Sequence, residues 1–66
     1  MEATLTRLLG GMKLRNMYDA YIEREPQTGI VSYVRFESKD NCYMAIVEKT
    51  NGYSARWNLE ECEHAE

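Results

Sequence analysis

Sixty-six residues with eleven acids against eight bases, a formal net charge of −3, leave room for one small domain spanning 1–66. A chain this short buries only about 60% of the surface its unfolded form exposes, and such a core supplies about 3–5 kcal/mol of net stability. The mild charge excludes a strong duplex-DNA binder, which draws most of its affinity from phosphate neutralisation, and a DNA mimic, which would be far more acidic.

Small domains often need a staple, and the candidates can be taken in turn. Two cysteines, Cys42 and Cys62, and one histidine, His64, are too few for a disulfide-rich scaffold. The first residues carry no apolar run of signal-peptide length, since Arg7 interrupts their leucines, and no stretch approaches the ~18 apolar residues of a membrane span. The expectation is a cytoplasmic protein with reduced thiols, no membrane association, and stabilisation by a partner protein or by a second copy of itself.

In chain order, Thr4 to Leu9 predicts a short helix with Leu5, Leu8 and Leu9 on one stripe, closed by Gly10-Gly11; residues 1–11 are a helical or flexible leader. Leu14, Met17, Tyr18, Tyr21 and Ile22 follow helical spacing. Met17 to Glu23 also fits a strand, with Tyr18, Ala20 and Ile22 on one side, and Pro26 ends either element. Residues 29–37, rich in β-branched and aromatic side chains, form the next strand.

A three-residue loop, Lys39-Asp40-Asn41, would place Asn41 in the left-handed region and pair Phe36 with Met44 and Val34 with Ile46. Strands follow at 43–50 and 53–58, and Asn51-Gly52 between them is a strong signal for a two-residue hairpin turn. That turn opposes Val47 to Arg56 and Ile46 to Trp57. The two registers together put Ile30, Val34, Phe36, Met44, Ile46, Ala55 and Trp57 on one apolar face. They put Tyr33, Arg35, Tyr43 and Arg56, with Val31 and Val47, on the other.

The fold class is therefore α+β or mostly β: a three-stranded antiparallel meander (about 29–37, 43–50, 53–58) with an N-terminal helical segment. The alternative takes 17–23 as a first strand and Cys62 to Ala65 as a short closing one. With Gly29-Ile30-Val31, Val34, Phe36 and the Trp57-Asn58-Leu59-Glu60-Glu61 corner, that arrangement resembles an SH3-like small β-barrel, a resemblance of fold that implies no particular activity.

No constellation points to catalysis, a metal or a cofactor. Cys62-x-His64 with a distant Cys42 offers three ligands without the paired spacing of zinc sites. As a nucleophile couple, the same residues sit near a fraying end among acids that raise a thiol pKa. Glu23 with Glu25 and Glu60 with Glu61 lack a pocket to separate their pKa values, and Gly10-Gly11 lacks the Lys and Ser/Thr of a phosphate loop. No small-molecule substrate is expected.

The Tyr/Arg face is the distinctive feature, because interfaces enrich both residue types. The expectation is a non-catalytic interaction module, of adaptor or inhibitor type and homodimeric in one version. It binds a protein partner through Tyr33, Arg35, Tyr43 and Arg56 and through the stripe Leu5, Leu8, Leu9. The alternative function is binding of single-stranded nucleic acid by stacking on the same face.

Overall fold

A computed structural model describes residues 1–17, 27–49 and 52–65. One helix, α1 (Glu2–Leu9), precedes five strands: β1 (Lys13–Asn16), β2 (Gln27–Glu37), β3 (Cys42–Lys49), β4 (Ser54–Asn58) and β5 (Cys62–His64). The strands form one antiparallel sheet in the order β4-β3-β2-β1-β5. An α+β, mostly β domain is therefore what the chain forms, with five strands in the sheet where three were expected. The sheet is open: among the described residues its edge strands β4 and β5 do not pair with each other, although only a 3-10 turn, Leu59–Glu61, separates them in sequence.

The helix has good formers in Ala3, Leu5, Leu8 and Leu9, with Glu2 in its first turn and Arg7 in its last, both favourable to its dipole. Eight residues are too few to hold a helix in water, so its stability comes from the sheet. Leu5 and Leu9 pack against the core, whereas Leu8 is 65% exposed. The three leucines thus do not make one exposed stripe; Leu5 and Leu9 have their partners within the chain.

Gly11, at φ 85°, supplies the left-handed residue that turns the chain into β1. Gly11 and Met12 both bond to Val31: Gly11 N–H donates to its carbonyl and its own N–H donates to the Met12 carbonyl. The first strand is thus Lys13–Asn16, with Leu14 and Asn16 buried. Leu14 belongs to a strand, not to the start of a helix, and the first strand lies before 17–23. The expectations for Tyr18, Ala20, Tyr21, Ile22, Glu23 and Glu25, and for Thr50 and Asn51, fall outside the described residues.

Both hairpin registers differ by one residue from the sequence expectation. Four residues, 38–41, separate the paired Glu37 and Cys42. Asn41 does take the left-handed conformation, at φ 52°, and its N–H reaches back to the Ser38 carbonyl. In the second hairpin Lys49 N–H donates to the Tyr53 carbonyl, so three positions lie between the last partners. Gly52, at φ 87°, donates to the Lys49 carbonyl. This is the geometry of a turn followed by a left-handed glycine, which competes with the tighter two-residue turn at Asn-Gly sequences. A slip of one residue exchanges faces. Ala45 and Val47 therefore point inward and are fully buried, while Met44 and Ile46 share the other face with Arg35, Tyr33 and Arg56.

A bulge at Ser32 completes the correction. The register shifts between Val31 and Tyr33, so that Val31 and Val34 both face inward while Ile30 turns outward. The core is Leu14, Val31, Val34, Ala45, Val47 and Trp57, with Leu5, Leu9, Tyr43, Ala55, Leu59 and Cys62 packed around it.

Beyond the bulge, β2 has outrun β1, and its outward N–H groups would lack partners. Side chains of α1 supply them. Val34 N–H donates to Thr6 Oγ1 at 2.8 Å, and the same hydroxyl donates to the Val34 carbonyl at 3.2 Å. Two residues on, Phe36 N–H donates to Glu2 Oε2 at 2.6 Å. The helix stands where a further strand would otherwise be required.

Candidate functional site

The outer face of the sheet is read row by row, because opposed residues share a face. Tyr33, Ile46 and Arg56 form one row; Arg35, Met44 and Asn58 the next; Glu37 and Cys42 the last. Ile30 opens a further row toward the other end, with Glu48 and Ser54. Ile30 and Tyr33 are 44% and 45% exposed, which is high for residues in a sheet interior.

Glu37 organises the charged end of this face. Its Oε2 accepts from Arg35 Nη2 at 3.0 Å and lies 3.8 Å from Arg56 Nη1. The carboxylate side chain is only 19% exposed, against 46% and 58% for the two arginines. One acid therefore steers two guanidinium groups from strands on either side of β3. A second pair, Arg15 Nη1 to Glu63 Oε1 at 2.9 Å, links β1 to β5.

Of the residues that the sequence singles out, the structure brings Tyr33, Arg35 and Arg56 together on this face. Tyr43 is elsewhere: it lies on the inner side at the end of the sheet, edge-on to Phe36 with ring centroids 5.1 Å apart. The slipped register is the reason. Glu37 belongs to the site and was legible, since it follows Arg35 by two residues in a strand. Ile30, Met44 and Ile46 also belong to the face, but the register hid them.

At the end of the face, Cys42 is a free thiol whose pKa is raised. Partial burial is the leading cause, and the carboxylates of Asp40, Glu60, Glu37 and Glu61 add to it. A raised pKa leaves less thiolate at a given pH, and thiolate is the reactive form. Alkylation of Cys42 by iodoacetamide should therefore be slower at neutral pH than that of an unstructured cysteine peptide. It should keep accelerating with pH after the peptide has levelled off. Mass-spectrometric labelling rates check this, and equal rates at neutral pH would contradict it. Such a thiol is poorly suited to nucleophilic work. Among the described residues no group of three His, Cys, Asp or Glu side chains is placed to hold a metal ion, and no helix is long and apolar enough to cross a membrane.

Two recesses adjoin the site. One, of about 470 Å³, follows β4 and is bounded by Asp40, Cys42, Met44, Trp57, Asn58 and Glu61. The other, of about 330 Å³, is smaller and lies between Phe36, Tyr43 and Leu59. Comparison with known proteins finds no family model, no curated protein and no solved structure that matches the chain, so its function has to be argued from these residues alone.

Proposed function

We propose that the chain is a non-catalytic protein-interaction module that docks through the outer face of its sheet, onto another protein or a second copy of itself. The observation that carries this reading is Glu37 clamping Arg35 and Arg56 beside the exposed Tyr33 and Ile30. Aromatic and arginine side chains are the usual anchors of protein interfaces. A guanidinium held in place before docking loses less side-chain entropy when the partner arrives. A cytoplasmic setting accords with two cysteines that form no disulfide. The fold reading that accompanies this is an SH3-like barrel left open between β4 and β5. It is supported by the strand order and by the short 3-10 turn joining those two strands.

Single-stranded nucleic acid is less well served by the same face. Stacking platforms combine several aromatic rings with unpaired cations. Here Tyr43 has turned to the inner side, and both arginines share one carboxylate.

The test is a comparison of the wild-type chain with the Tyr33→Ala/Arg56→Ala double variant, both shown to be folded by circular dichroism. Proteins retained by the immobilised wild-type chain should be lost by the variant, or self-association seen by light scattering should fall at least tenfold. Equal retention and equal self-association would mean that the outer face is not the docking surface. A single-stranded RNA that binds at low salt and is released as salt rises would transfer the face to the alternative.

A further inference from the structure

The recess along β4 coincides with a sheet edge that no described residue pairs with. Lys49 and Tyr53 form a hydrogen-bonded position of the β3–β4 ladder, through Lys49 N–H to the Tyr53 carbonyl at 2.8 Å. The register then runs without interruption to Met44 and Asn58. Hydrogen-bonded and non-bonded positions alternate in an antiparallel pair. Ala55 and Trp57 therefore direct their N–H and C=O groups at β3, while Ser54 and Arg56 direct theirs away from it. Among the described residues nothing pairs with that side of β4. The strand carries neither proline nor bulge, two of the usual devices that blunt an edge. Its single charge, Arg56, is drawn toward Glu37 on the next strand but one.

The recess beside this edge is lined by the apolar Met44 and Trp57, by the carboxylates of Asp40 and Glu61, and by Arg56, whose guanidinium lies 3.8 Å from Glu37. We propose that β4 accepts an extended, basic segment of a partner protein as an added strand, with lysine or arginine side chains of the segment reaching Asp40 and Glu61. Backbone bonds to Ser54 and Arg56 would give affinity, and alternate side chains entering the recess would give selectivity. The electrostatics favour this occupant. Cys42, which also lines the recess, has its thiol pKa raised by burial first and then by the carboxylates of Asp40, Glu60, Glu37 and Glu61. A second copy of the chain would bring a net charge of −3 to the same acids. The other edge strand, β5, has three residues and is the poorer template.

This site is the edge of the sheet; it shares Met44, Arg56 and Asn58 with the outer face but not Tyr33 or Ile30, so either can fail alone. The probe is a fluorescein-labelled, end-capped octapeptide of alternating Thr and Lys, compared with its Thr/Glu counterpart. The Lys peptide should bind at least tenfold more tightly than the Glu peptide. At saturation it should slow hydrogen exchange of the Ser54 and Arg56 amides at least tenfold. Asp40→Asn/Glu61→Gln should remove most of the preference for the Lys peptide. Ser54→Pro removes an outward N–H at the first position of a strand, where proline is tolerated, and should weaken binding at least tenfold. Where that variant does not fold, the exchange measurement on the wild-type chain decides. No binding of the Lys peptide, unchanged exchange at Ser54 and Arg56, or equal affinity for both peptides overturns the proposal. Protection of those amides that grows with protein concentration in the absence of peptide overturns it in favour of a second copy. Outer-face docking is read separately, by the loss of capture on substituting Tyr33.

Discussion

Trp57→Ala should leave the chain without a cooperative thermal transition. Trp57 is 4% exposed and opposes Ala45, which is fully buried, so the indole fills space that the small residue across from it leaves open. Its removal takes the largest side chain out of a core that otherwise consists of Leu14, Val31, Val34, Ala45 and Val47. Truncating a buried tryptophan costs about 3–5 kcal/mol, the lost transfer energy plus the cavity left behind. A domain of this size has about 3–5 kcal/mol in total, so the two quantities cancel. Circular dichroism should show loss of the sheet at 25 °C, and amide chemical shifts should collapse toward random-coil values. Trp57→Phe keeps an aromatic ring in the site and should retain a transition at lower temperature. A Trp57→Ala chain melting within a few degrees of the parent would show that the core does not depend on this ring.

The positions of three of the strands were legible for the same reason that Trp57 matters. Runs of β-branched and aromatic residues between clusters of turn residues locate β2, β3 and β4 to within two residues. The placement of Val34, Ala55 and Trp57 on the core side was also legible. Register was not. Asn51-Gly52 is compatible with a two-residue turn and with a three-residue turn ending in a left-handed glycine, and only the observed Lys49–Tyr53 bond separates them. Asn41 takes the left-handed conformation in a four-residue loop as it would in a three-residue one. The choice at Asn41 moves β3 by one residue against β2 and turns Ala45 and Val47 to the other face, and the choice at Asn51-Gly52 moves β4 by one residue against β3. The bulge at Ser32 has no local signature at all, yet it lets Ile30 and Val34 face opposite ways despite their even spacing.

The candidate site inherits this history. Tyr33 and Arg35, on one strand, stayed together whatever the register. Arg56 stayed with them because β4 slipped by one residue against β3 as β3 slipped by one against β2, so the two shifts cancel, and Tyr43 was lost when β3 turned over. The strand Lys13–Asn16 was hidden for a different reason. Its two inward positions are Leu14 and a buried asparagine, too little alternation to outweigh the helical spacing that begins at Leu14.

The role of α1 could not be read from periodicity, because it depends on a single hydroxyl. Thr6→Val should therefore destabilise the chain although it preserves side-chain shape and changes helix propensity little. In the native chain Thr6 Oγ1 accepts from Val34 N–H and donates to the Val34 carbonyl, in a partly buried position where β2 has no neighbouring strand. The substitution leaves both backbone groups without a partner and places a methyl group against them. A buried donor or acceptor stripped of its partner costs about 1–3 kcal/mol, a large share of what a domain of this size has. With about 4–8 °C per kcal/mol for a chain of this length, the melting temperature should fall by roughly 10 °C. Exchange of the Val34 amide should become at least tenfold faster relative to Val47, which lies in the middle of the ladder. Thr6→Ser keeps the hydroxyl and should stay near the parent on both measures. An unchanged melting temperature together with continued protection of Val34 in Thr6→Val would mean that water or a rearranged backbone satisfies β2, and that the helix covers this edge by apolar contact alone. The expected outcome is the reverse: Leu5 and Leu9 hold the helix on the sheet, and Thr6 and Glu2 set where along β2 it sits.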